Sequence, residues 1–352
     1  MSKETELRYG LPSGHYLAPE IFAAEQERIF RKSWHFAGHL ESLRRPGDYV
    51  TCRIAGDDIV VLRDRAGVLR AFHNVCRHRA HQLLSGEGKV NRIVCPYHAW
   101  TYDLDGRLIA AVNSAAVPRF DKRQICLLEV RVEAFCHLVC VNLDPEAEPL
   151  AALYPGLEGE IRARVPDIEP LRLADRADKV VAANWKVIVE NFSECYHCIV
   201  AHPTFTSGVV DPASYRITVQ GALQRHDSAA QPNRPDERFT SWLLWPMSAF
   251  QVYPGGAVNT FQWHPLSAGR TRLVNEWFFP NDPMTVAQEA LVREHRSTTF
   301  IEDFPLVESV QRGLSSRAYE NGPVMIDRAH SELSEHGVLA FQDRVRGVLG
   351  NL

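Results

Sequence analysis

The period of the apolar positions changes along the chain. Over residues 19–34, Ile21, Phe22, Ile29 and Phe30 recur at helical spacing and Pro19 stands where a helix starts, which predicts an amphipathic helix. From about Gly47 to Leu143 the texture shifts to short strands. Residues 49–54 and 58–63 flank the turn Ala55-Gly56-Asp57, while Arg65-Ala66-Gly67 and Asp105-Gly106-Arg107 mark further hairpins. This stretch predicts an all-β unit. After Asp144-Pro145, a connection rich in proline and charge (149–170) places a boundary near residue 150. Strands over 173–181, 249–264 and 271–279 then mix with helices over 185–197, 285–302, 306–314 and 338–348. No internal repeat or low-complexity segment interrupts them.

Composition narrows the class without deciding it. A chain of 352 residues can build two domains with their own cores, and 45% apolar with 23% charged residues is ordinary for a globular protein. A net charge of −4 gives no reason to expect nucleic acid or an anionic membrane as partner. No apolar run approaches a membrane span, and residues 1–10 are polar and mixed in charge, so neither a span nor a secretion signal is expected. The eight cysteines follow no disulfide-framework spacing, which predicts unpaired thiols in a cytoplasmic setting. Among them, Cys52, Cys126, Cys136 and Cys140 sit in β-like apolar contexts and read as buried small residues.

Two short hooks carry the clearest chemistry. Cys76-Arg77-His78 and Cys95-Pro96-Tyr97-His98 each offer one sulfur and one nitrogen, with residues 79–94 between the pairs. Such a set could hold one zinc, or a [2Fe–2S] cluster with both cysteines on one iron and both histidines on the other. Zinc sites usually place like ligands in one hook. Mixed hooks favour the second arrangement, a Rieske cluster held by Cys76, His78, Cys95 and His98.

The second half holds another cluster. Glu194 and His197 are three apart, on one face of the helix expected there. His202 is five from His197, about 140° round a regular helix, so shared metal binding requires the helix to distort or end, and Pro203 follows directly. Two imidazoles and a carboxylate on one face of an iron form the facial triad of non-haem Fe(II) oxygenases. Asp303 is the chosen carboxylate, although alone it could also cap a helix starting near Pro305.

Taken together, the two hooks, Asn184-Trp185-Lys186, the Glu194-Cys195-Tyr196-His197…His202 run and the late Asp303 resemble the α subunit of Rieske non-haem iron oxygenases of the ring-hydroxylating type. Residues 81–89, 194–198, 306–311 and 334–337 are similar to the oxygenase components that act on carnitine, glycine betaine and proline betaine. The resemblance implies an α+β fold: an all-β Rieske [2Fe–2S] domain over 41–149, and a helix-grip catalytic domain built from 1–40 and 150–352. It implies mononuclear Fe(II) at His197, His202 and Asp303, and NAD(P)H electrons delivered by a separate flavin and iron–sulfur reductase. It also implies a homotrimer in which Glu194 links His98 of one subunit to His197 of the next. Most of the family has aspartate where this chain has Glu194, which puts the reach of that link in question. The implied activity is O2-dependent hydroxylation beside the nitrogen of a quaternary ammonium substrate, causing C–N cleavage or N-demethylation.

A quaternary ammonium donates no hydrogen bond, so aromatic faces and shape must recognise it. Trp242, Trp245, Phe250, Tyr253, Phe261, Trp263 and Trp277 supply rings for such a pocket. The same rings would suit an aromatic substrate, and ring hydroxylation is the alternative activity.

Overall fold

The computed structural model describes residues 7–231 and 237–350. Residues 1–6, part of the polar N-terminal stretch, lie outside them. The chain divides into two compact units, one from residues 1–29 and 162–352, the other from 30–161.

In the second unit, a seven-stranded antiparallel sheet is built around Asp57–Arg63, Leu69–His73 and Asp48–Ile54. Ile59, Val60, Val61 and Leu62 are all fully buried, so this strand is covered on both faces. Ile59 and Val61 pack with Val139 and Val141, whereas Val60 and Leu62 pack with Phe72, Tyr102, Cys76 and Cys95. The second cluster joins the sheet to a small three-stranded one formed by Ile93–Val94, Thr101–Tyr102 and Leu108–Ala110. Gly106 makes the turn before Leu108 at φ +86°, and a Cβ there would meet Phe72 at 2.6 Å. Only glycine fits both demands.

The first unit is organised on another seven-stranded antiparallel sheet. In spatial order its strands are Arg172–Val181, Arg270–Phe279, Val258–Ser267, Ser248–Val252, Arg238–Leu244, Leu223–Ala229 and Arg216–Gln220. The helices Trp185–Phe192, Val286–Ser297, Thr299–Leu314 and His336–Leu349 accompany it. Asn184 ties several of these together. Its side chain accepts from the Lys186 amide (2.9 Å) and donates to the Tyr16 and Ala268 carbonyls (3.0 and 2.8 Å). Beside it, buried Lys186 pairs with buried Glu25, which also accepts from the Trp185 indole at 2.9 Å.

Several sequence expectations need correction. The helix expected over 19–34 ends at Arg28, with Ile29 as its C-cap donating to the Glu25 carbonyl, and a short turn Phe30–Lys32 follows. The strand expected over 249–264 is two strands separated by a turn with Gly255 and Gly256 at positive φ. The helix break expected between 302 and 306 falls instead at Thr298, and Pro305 lies inside the helix Thr299–Leu314. Proline there gives up one intrahelical hydrogen bond and crowds the carbonyl four residues back, yet the helix continues through it to Leu314. Cys126 is exposed and Cys52 only partly buried, unlike Cys136 and Cys140. The cysteines are also not all unpaired: Cys195 and Cys198 form a disulfide, since the turn after residue 192 brings their Cα atoms to 4.9 Å.

Candidate metal centres and the adjoining cavity

The two hooks fold as the same kind of turn. The Ala80 amide donates to the Cys76 carbonyl and the Ala99 amide to the Cys95 carbonyl, both at 3.0 Å. Ala80 and Ala99 close the turns in the left-handed region, at φ 55° and 53°. Both sulfurs point into the core, at 3% and 2% exposure, while His78 is exposed and His98 partly so. The imidazoles approach edge to face with centroids 4.7 Å apart, and His78 stacks on Trp100 at 4.7 Å. Tyr102 fixes the first hook from below, its hydroxyl accepting from the Arg77 amide at 3.0 Å and lying 3.3 Å from Cys76 Sγ. Two inward thiols with two outward imidazoles fit a cluster with one sulfur-held and one nitrogen-held iron.

In the other unit, the helix Trp185–Phe192 stops before Glu194, not at His197 as the spacing suggested. Ser193 caps it, and a turn carries the chain to the short helix Cys198–Ala201. Glu194 holds this turn: its carboxylate accepts from the His197 amide at 3.2 Å and lies 2.5 Å from His197 Nδ1. His202 follows at the junction with Pro203–Gly208. Asp303 comes from the second turn of Thr299–Leu314, and its neighbour Glu302 lies 2.8 Å from His202 Nδ1. A carboxylate only accepts, so both Nδ1 atoms carry the ring protons and both Nε2 atoms are bare.

Those bare nitrogens converge. His197 Nε2 and His202 Nε2 are 3.1 Å apart, and Asp303 Oδ1 lies 3.6 and 3.1 Å from them. Asn191 donates to the same oxygen at 3.2 Å. The three donor atoms lie within 4.8 Å of one another. Lone pairs crowded in this way repel unless a cation sits among them, and two nitrogens with one oxygen suit Fe(II). Burial lowers the His202 pKa, but Asp303 and then Glu302 outweigh it and raise it above its ordinary value, the same demand for positive charge.

Beside this triad lies a cavity with aromatic walls, among them Phe192, Tyr253, Phe261, Trp263 and Phe300. Phe192 approaches Trp263 at 5.0 Å and Phe261 stacks on Trp263 at 5.8 Å. Among the described residues no lysine or arginine lines it. Of the rings expected from sequence, Tyr253, Phe261 and Trp263 face this space; Trp242, Trp245, Phe250 and Trp277 are not among its lining residues. Strand alternation explains Trp242 and Phe250, because their neighbours Ser241 and Gln251 take the cavity side. Sequence reasoning missed Asn191 and Glu302 as supports, and His226, Ser241, Gln251 and His295 as lining. The parity of the polar residues beside the expected rings was the signal available for Ser241 and Gln251.

Residues 162–351 match the ring hydroxylating alpha subunit (catalytic domain), and residues 33–121 match the Rieske [2Fe-2S] domain. The chain belongs to the ring-hydroxylating alpha-subunit family. It is a Rieske non-haem iron oxygenase, an oxidoreductase whose α+β fold joins the cluster domain to a catalytic domain. As an oxygenase subunit it draws electrons from a reductase partner. It is 38% identical to the carnitine monooxygenase oxygenase subunit of Acinetobacter baumannii over 97% of this chain and 95% of that one. It is 29% identical to the glycine betaine monooxygenase oxygenase subunit of Chromohalobacter salexigens, over 97% and 86% of the two chains. The crystal structure of the quaternary ammonium Rieske monooxygenase CntA with L-carnitine superposes with a TM-score of 0.90, at 38% identity, covering 97% of this chain and 96% of that one. Among the described residues, no helix is long and apolar enough to cross a membrane.

Proposed function

We propose that this oxygenase hydroxylates the C–H bond beside the nitrogen of a small quaternary ammonium carboxylate of the carnitine or betaine type. The observation that carries the reading is the aromatic cavity against the His197–His202–Asp303 group. Its rings offer π-faces to a cation that cannot donate a hydrogen bond, and the 38% identity to a carnitine monooxygenase subunit supports the same class. Hydroxylation at a methyl group would end in demethylation, and at a chain carbon in release of the amine.

His197, His202 and Asp303 would hold Fe(II), and Cys76, His78, Cys95 and His98 the [2Fe–2S] cluster. Bound there, the iron would supply O2 activation and the cluster the electrons. Glu194 and Glu302 fix the tautomers of the two histidines, so that each presents a bare Nε2 on one side of the site. Asn191 holds the carboxylate of Asp303 in place. The aromatic walls exclude water and orient the ammonium. Catalytic and Rieske domains would correspond to the two compact units. In a homotrimer, the Glu194 carboxylate would join His197 to His98 of a neighbouring copy, with NAD(P)H electrons arriving through a flavin and iron–sulfur reductase.

The test is O2 consumption by the purified protein with an NAD(P)H-dependent reductase. L-carnitine, γ-butyrobetaine, glycine betaine, proline betaine and simple aromatic acids would be compared. Turnover of one or more of the quaternary ammonium compounds is expected. Turnover of an aromatic acid alone would replace this reading with ring hydroxylation.

A further inference from the structure

The floor of the cavity holds a row of polar side chains that the aromatic walls do not explain. His226, Ser241 and Gln251 are direct partners across three adjacent strands, so all three project from the same face of the sheet. His226 is 1%, Ser241 1% and Gln251 5% exposed, and all three line the cavity. The Gln251 amide sits 3.1 Å from the Ser241 hydroxyl, leaving its other end unpartnered; His226 Nε2 is also unpartnered. Leaving buried polar atoms without partners costs about 1–3 kcal/mol each. A floor built only for packing would be apolar.

The protonation of this row follows from Tyr215. Its hydroxyl lies 3.0 Å from His226 Nδ1, and burial pushes its pKa well up, so it keeps its proton. Nδ1 is the acceptor within reach of this buried O–H, and donating to it satisfies the hydroxyl and leaves the ring hydrogen on Nε2, facing the cavity. Burial also pushes the His226 pKa down to about 3, so the ring stays neutral. In the structure the Gln251 amide nitrogen donates to the Ser241 hydroxyl and its Oε1 is the unpartnered end. The two ends are interchangeable by rotation, and with the amide turned over Ser241 donates to its oxygen and the NH2 group becomes the free end.

We propose that His226, Ser241 and Gln251 form the subsite for the carboxylate of the substrate. It is an anion subsite made of neutral donors, in a cavity whose described lining holds no lysine or arginine. His226 Nε2–H and the Gln251 NH2 are its principal donors. This inference rests on the quaternary ammonium reading above and adds which end of the molecule meets the sheet. The rings and the iron site then receive the ammonium end, and the polar row sets the distance at which the reacting C–H is held.

The experiment compares substrates that differ only at the far end, using holoenzyme with its reductase. L-carnitine or γ-butyrobetaine is measured against choline, which keeps the trimethylammonium group and lacks the carboxylate. His226→Phe should raise KM for the carboxylate substrate about tenfold or more, the worth of one hydrogen bond to a charged group, and change KM for choline by less than about threefold. Tyr215→Phe, which frees the imidazole tautomer, should move the carboxylate substrate in the same direction and by less. If His226→Phe lacks its Rieske signal and has not folded, Gln251→Leu decides by the same comparison. Equal changes for both substrates, or none, would overturn the subsite while leaving the wild-type activity intact. Absence of quaternary ammonium turnover by the wild type would instead overturn the functional reading beneath it.

Discussion

The buried pair of Glu25 and Lys186 offers the sharpest mechanical test of how this site is held. Both side chains are 0% exposed, and the Lys186 ammonium also lies 5.4 Å from the Tyr16 ring and 5.3 Å from the Trp185 ring. The pair fastens the helix Pro19–Arg28 to the start of the helix Trp185–Phe192. That second helix carries Asn191 and leads into Glu194 and His197. Glu25→Leu strands a cation in the core and removes the acceptor of the Trp185 indole. Breaking a buried pair on one side typically costs about 3–5 kcal/mol, which for a unit of this size lowers the melting temperature by roughly 10 °C.

The double variant Glu25→Leu/Lys186→Met removes both charges. It should recover most of the loss, falling short by about 1–3 kcal/mol for the orphaned indole N–H. Thermal unfolding followed by near-UV circular dichroism would measure this, with iron content determined on the same samples. The double variant should then be more stable than Glu25→Leu alone and hold more iron. A loss below 1 kcal/mol for Glu25→Leu, or a double variant as unstable as the sum of the singles, would refute a charge-pair origin for this contact.

Asp303→Ala should lose mononuclear iron and turnover while keeping the Rieske EPR signal; Glu302→Ala, which removes only the support of His202, should bind iron about 10–100-fold more weakly. If Glu302→Ala alone abolishes iron, the carboxylate assignment is wrong. Glu194→Gln should retain both metals but slow single-turnover electron transfer from a pre-reduced cluster, with Glu194→Asp less affected, and an unchanged rate would leave the bridge unsupported. Acid stability should follow the buried histidines. His35, bonded through Nε2 to the Phe30 carbonyl at 2.6 Å, is pushed by burial down to about 4. The unfolded imidazole ionises near 6.5, so stability is full above that pH and falls by about 3 kcal/mol as pH drops from 6.5 to 4. His35→Leu should flatten that slope in urea titrations, and an unchanged slope would contradict the assignment.

What could be read from sequence was what neighbouring residues settle among themselves. The hooks at Cys76–His78 and Cys95–His98 are short turns, and their order of sulfur and nitrogen is visible without a fold. The hairpin turns of the all-β unit were visible for the same reason, since glycines such as Gly106 answer to local φ. His197 and His202 could share a metal only if the helix ended between them, and Pro203 was the local signal that it does. Asp303 is about a hundred residues away, and nothing local distinguishes it from Glu302, so spacing could not argue the choice between them. Helix ends were harder. Pro305 looked like a boundary from its missing donor alone, yet the helix Thr299–Leu314 runs through it and brings Asp303 and Glu302 to the two histidines.

The polar floor shows a limit of another kind. On the strands Arg238–Leu244 and Ser248–Val252, Ser241 precedes Trp242 and Gln251 follows Phe250, so polar and aromatic side chains alternate. Alternation says that these residues lie on opposite faces; it does not say which face is the cavity. That choice belongs to the helices Trp185–Phe192 and Thr299–Leu314, which supply Asn191, Phe192, Thr299, Phe300 and Asp303 to the space above one face only. Once they lie there, the large rings of Trp242 and Phe250 become filling on the far side, and the small polar residues become the surface a ligand meets. The residues most able to discriminate among substrates were therefore the ones that sequence reading, drawn to the aromatics, passed over.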